Sequence, residues 1–69
     1  MIIVKSAITN GFTMTADVDV FADTKAEVTN DPSTYEGMPT GYSIAPGSTL
    51  MTASGEMAFW KSDNTWNWV

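Results

Sequence analysis

The chain has 69 residues, with eight acidic side chains against three basic ones, a net charge of -5, no arginine, no histidine and no cysteine. So one-sided a balance excludes nucleic acid, whose phosphates are neutralised by Lys and Arg, and an anionic membrane surface, which would repel it. One domain is all this length holds, and neither disulfides nor histidine or thiolate metal sites can reinforce its small core, which leaves oligomerisation or docking on a larger body. Charged residues make up 16% and apolar residues 43%, with eight aromatics, which is a folding composition and not a disordered one.

The opening Met1-Ile2-Ile3-Val4-Lys5 lacks the basic region, long apolar stretch and cleavage site of a secretory leader, so export by this sequence is not expected. Met1 to Ile8 is rich in β-branched residues and runs into Asn10-Gly11, the pair best suited to a two-residue hairpin turn. Phe12, Met14, Ala16, Val18 and Val20 then alternate with Thr13, Thr15, Asp17 and Asp19, the period of a strand with one apolar and one wet face. Residues 1–21 therefore read as a β-hairpin. Its apolar face needs a cover, from the C-terminal strands or from a neighbouring chain.

Residues 22–47 read as a connector. Asp23 to Asn30 allows a short helical turn capped by Asp23, and all three prolines fall between 32 and 47, which predicts no central strand there. Tyr35, Met38, Tyr42 and Ile44 are its pinning residues. Residues 48–69 regain β character as three short strands, Ser48–Ala53, Glu56–Lys61 and Trp66–Val69, separated by turns at Ser54-Gly55 and Ser62-Asp63-Asn64. The expected fold is all-β: hairpin, Pro/Gly-rich connector and three-strand antiparallel meander in a single small domain.

Nucleophilic catalysis of the Ser-His or Cys-His kind lacks its base, the three lysines stand in unrelated contexts, and no glycine-rich phosphate loop precedes a helix. No enzyme is expected, and no cofactor. Asp17, Asp19 and Asp23 suggest a calcium site, but the glycine turn and distal glutamate of a calcium loop are missing, and the preferred reading is a wet strand face. Trp60, Trp66 and Trp68 have two readings, as planes that stack on sugar rings or as core and interface anchors; the second is preferred because large apolar side chains are scarce. The residues expected as core or interface anchors are Phe12, Met14, Val18, Val20, Tyr42, Phe59, Trp60, Trp66 and Trp68.

The run Gly47-Ser48-Thr49-Leu50-Met51-Thr52-Ala53-Ser54-Gly55-Glu56-Met57-Ala58-Phe59-Trp60, followed by Ser62-Asp63-Asn64-Thr65-Trp66, resembles a pattern of small bacteriophage and prophage proteins of the head-fibre, capsid-decoration or tail-associated type. The shared features are a Gly-Ser start, a strand, a glycine turn, an aromatic strand, a polar turn and a closing Trp. They cover about a third of the chain. The resemblance implies a multicopy virion component, trimers among its forms, that contacts itself and a larger virion protein and carries no catalytic residues. It would be made in the host cytoplasm and end in the particle. A small carbohydrate-binding module using the C-terminal Trp residues is the alternative.

Overall fold

The β-rich stretches at both ends of the chain meet in one mixed sheet. The computed structural model describes residues 1–69 and contains six strands: β1 (Ile2–Asn10), β2 (Thr15–Ala22), β3 (Ser43–Ile44), β4 (Thr49–Thr52), β5 (Met57–Trp60) and β6 (Trp66–Trp68). Their order is β1-β2-β4-β5-β6, with β3 also on β2. Pairing is antiparallel for β1/β2, β4/β5 and β5/β6, and parallel for β2/β3 and β2/β4. Two short 3-10 turns, Lys25–Glu27 and Pro32–Thr34, are the helical elements, so the protein is mostly β.

The two-residue turn expected at Asn10-Gly11 is replaced by a four-residue one. Asn10 pairs with Thr15, and Asn10 Oδ1 accepts from the N–H of Phe12 at 2.9 Å. That side-chain bond draws the chain into a wider turn, closed by Met14 in the left-handed region at φ 52°. Two added residues leave the strand parity unchanged. Ala16, Val18, Val20 and Ala22 therefore share the buried face as the alternation requires, while Phe12 and Met14 leave the strand and stand exposed at the hairpin tip. In β1 the register slips at Lys5, so that Lys5 and Ser6 together oppose Asp19. Lys5 to Asn10 are all exposed, and this half of the hairpin reaches past the core.

Within the chain, the C-terminal strands lie beside the hairpin in the same sheet, and its apolar face is covered from another segment. The connector crosses it. Lys25 Nζ lies 4.7 Å from the centre of the Trp68 ring, and Asn30 Oδ1 accepts from the Trp66 N–H at 3.4 Å. Tyr35 is buried; its hydroxyl accepts from Trp66 Nε1 at 2.9 Å and donates to the Thr29 carbonyl. Glu36 then pairs with the outer edge of β1: its N–H donates to the Ile2 carbonyl, and its carbonyl accepts from the Val4 N–H. Gly37 permits this approach, since its φ is 83° and a Cβ there would lie 3.2 Å from the Val4 carbonyl oxygen. Thus Tyr35, with Val28, Met38 and Tyr42, closes a core of Val4, Ala16, Val18, Val20, Ile44, Leu50, Ala58, Trp60 and Trp66. The accessible surface, 4122 Å² for 7.5 kDa, is close to the ~4,200 Å² of a compact monomer of this mass.

Two further expectations for the connector are corrected. Asp23 does not cap a helical turn, because its carboxylate holds the Met1 ammonium at 2.9 Å while Glu27 accepts from the Asp23 N–H at 2.7 Å. The proline-rich segment also adds strand to the middle of the sheet. Ser43 and Ile44 pair with Thr15 and Ala16, and Thr49 to Thr52 pair with Asp19 to Ala22, so β3 and β4 are successive pieces on one edge of β2. Between them Pro46, which has no N–H to lose, sits where the ladder is broken. Ser48 repairs the break: its buried Oγ accepts from the Val18 N–H at 3.0 Å and donates to the Ala45 carbonyl at 2.8 Å.

Ser48→Ala leaves the Val18 N–H buried without an acceptor and is expected to cost about 1–3 kcal/mol in urea denaturation, with the strand content unchanged in far-ultraviolet circular dichroism. Burial raises the Tyr35 phenol above its ordinary value of 10.0, against the lowering effect of the Trp66 and Thr29 contacts. A phenol whose pKa is higher folded than unfolded supports the fold fully below its ordinary value and loses that support as pH rises through the folded one. Stability is therefore expected to fall above about pH 10. In absorbance titration at 295 nm one phenol should ionise late, and Tyr35→Phe should abolish that step.

Candidate interaction surface

The anchors expected from sequence divide into three groups. Val18, Val20, Trp60 and Trp66 lie in the core, where the two indoles meet edge to face at 4.9 Å between centroids and 76° between planes. Tyr42 and Trp68 are half-buried and pack against that core from its margin. Phe12, Met14 and Phe59 are exposed, the first two at the hairpin tip and the third on the sheet face away from the connector. Trp60 and Trp66 present no open plane to a sugar ring, and Lys25 lies against Trp68. Trp60 Nε1 is the one buried side-chain polar atom without an acceptor.

The uncovered sheet face carries the apolar surface. Cross-strand partners point to the same side, so the pairing of Ile3 with Phe21, Phe21 with Met51 and Met51 with Met57 sets four apolar side chains in one row. The Val69 N–H donates to the Met57 carbonyl, which extends the row by a fifth residue. A second row runs through Ser6, Asp19, Thr49, Phe59 and Asn67. Met51 is 46% exposed, Phe59 41% and Met57 37%, whereas Leu50, one residue from Met51 but on the covered face, is 0% exposed. Contiguous apolar surface of this kind marks contact sites more often than it occurs by chance on a monomer.

From sequence, Met51 and Met57 read as adaptable packing residues, but they are not joined there to Ile3, Phe21 and Val69 as one face. The signal was present: Phe21 is out of phase with Val20 and Ala22, Met51 with Leu50, and Met57 and Phe59 with Ala58 and Trp60. Strands with apolar residues at both parities have two apolar faces, and only one was assigned a cover.

Charges border the apolar row sparsely. Lys5 Nζ is 3.8 Å from Asp19, whose carboxylate also accepts from the Thr49 hydroxyl at 3.4 Å. Lys61 continues β5 past Trp60, its N–H donating to the Thr65 carbonyl, and by alternation it lies on the open face with Asp63 3.6 Å away. Asp17, beside Ile8, is exposed on the same face. Asp23 is turned instead to the Met1 ammonium, so the three aspartates weighed as a calcium site do not converge. The Glu27 hydrogen bond, then that of Asp23, raises the Met1 ammonium above its ordinary value, and the ammonium in turn lowers Glu27. Near the hairpin tip a shallow open hollow of about 450 Å³ is lined by Ile8, Thr9, Asn10, Gly11, Thr15, Asp17 and Ala45, with no aromatic plane among them.

A pair of adjacent substitutions separates the two faces. Leu50→Ala is expected to cost about 2–5 kcal/mol in dilute urea denaturation, and Met51→Ser to stay within about 0.5 kcal/mol while lowering the binding of a hydrophobic dye. Comparison of the chain with protein-family models, with curated proteins and with solved structures found no match.

Proposed function

We propose that the protein is a multicopy structural component of a bacteriophage particle, attached to the capsid or tail and acting through protein–protein contacts. The observation that carries this reading is the open sheet face, where Met51, Met57 and Phe59 are exposed and Ile3 and Phe21 half-buried although the core is already closed by the connector. What favours assembly is an apolar surface left open, and not a core too small to close by itself. Support also comes from the resemblance of Gly47 to Trp66 to phage proteins, and from a composition with few charges to repel a close neighbour. A carbohydrate-binding role would need the C-terminal indoles at the surface, and two of the three are buried.

The reading places the chain in the virion at many copies. Quantitative mass spectrometry of gradient-purified particles should find it at tens of copies each, and antibody to the folded chain should decorate one substructure in electron micrographs. Absence from washed, infectious particles would sink the reading.

A further inference from the structure

We infer that the occupant of the open sheet face is a second copy of the same chain, packed face to face about a two-fold axis that runs along β4. This inference rests on the structural-component reading and specifies which contact the copies make.

The strand order makes β4 the middle of five, with β1 and β2 on one side and β5 and β6 on the other. A two-fold axis along β4, lying between two stacked sheets about 10 Å apart, sets β2 against the partner's β5 and β1 against the partner's β6. The apolar row then meets itself reversed. Met51 faces the partner's Met51, Phe21 faces the partner's Met57, and Ile3 faces the partner's Val69. A contact of this kind is closed and self-complementary, and each residue pair occurs twice except at the axis.

The charges choose this axis. Asp17 on β2 and Lys61 beyond the end of β5 lie toward the same end of the sheet, so the axis along β4 opposes each to the other's counterpart and forms two ion pairs. Asp19 falls opposite the partner's Phe59, but it enters the contact already paired with Lys5 and hydrogen-bonded by Thr49. The other in-plane axis, along the apolar row, brings Asp19 toward the partner's Asp23 and offers Asp17 no cation from β5. The first arrangement therefore adds two unlike pairs, and the second, in which Asp19 and Asp23 are already held by Lys5 and the Met1 ammonium, adds none. The molecule measures 35 × 21 × 17 Å, so the whole broad face only approaches the ~800 Å² that each partner gives to a standard interface, and the contact about β4, a part of it, is expected to be a weak one.

The test needs no particle and uses the purified full chain in sedimentation-velocity runs from about 1 to 200 µM, a range spanning weak to moderate dimer affinities. Wild type should pass from monomer to dimer. Asp17→Lys and Lys61→Asp, taken singly, should each weaken the dimer about tenfold or more, and the double swap should recover most of the loss. Met51→Asp, at the axis, should abolish the dimer with the circular dichroism spectrum intact, whereas Phe12→Asp at the hairpin tip should leave it unchanged. A wild-type chain that stays monomeric throughout overturns the inference. So does a dimer that resists Met51→Asp and both single swaps, or one that Phe12→Asp dissolves. Neither result touches the copy number in particles, which decides the structural-component reading separately.

Discussion

The structure depends on one act of covering. A single sheet of short strands with apolar side chains on both faces cannot stand in water, and the chain carries only one segment free to shield it. That segment, the connector, is spent on the face of Val18, Val20, Leu50 and Ala58. It is held there by contacts made across its whole course, from Lys25 over Trp68, through the buried Tyr35–Trp66 hydrogen bond, to the pairing of Glu36 with β1. Because the Tyr35 hydroxyl bonds both to Trp66 and to the Thr29 carbonyl, it ties the connector to the sheet and to itself in one buried place. A buried donor or acceptor left unpaired is costly, which makes this small network a specific clasp for a cover that has no long helix to stiffen it.

The same economy appears in the parallel pairing of β2. Two parallel neighbours require a crossing connection, and the one crossing supplies both β3 and β4 by returning along the same edge. The break between them is tolerated because Pro46 needs no ladder partner and Ser48 offers its hydroxyl to the Val18 N–H that would otherwise face a gap. Ser48 is thus a core residue by its hydrogen bonds, although it is polar.

With the cover committed to one side, the opposite face defines what the protein can do. Its acidic side chains do not gather into a metal-binding group. What it does have is a row of flexible Met and Phe side chains at the middle of the sheet with few charges around it. Methionine adapts to irregular partners, which suits such a surface to contact. The proposed particle component and the proposed face-to-face pair both follow from that asymmetry between a covered and a bare face.

How much of this was legible from residues differs from segment to segment. The alternation of Ala16, Val18 and Val20, the turn at Ser54-Gly55 and the core role of Trp60 and Trp66 are local or compositional facts, and sequence pattern was enough for them. The width of the first turn was misread because the Asn10 side chain, which competes with the backbone for the Phe12 N–H, leaves strand parity the same whether the turn has two residues or four. By itself the sequence determined a one-domain β protein with an acidic surface and no histidine or thiol chemistry. Only the tertiary structure decided which face the connector covers, that Ser43-Ile44 joins the sheet, and that Met51, Met57 and Phe59 remain exposed. Periodicity states that two faces are apolar, but the choice between them is made by long-range contacts such as Tyr35 with Trp66, 31 residues apart, which no local pattern encodes.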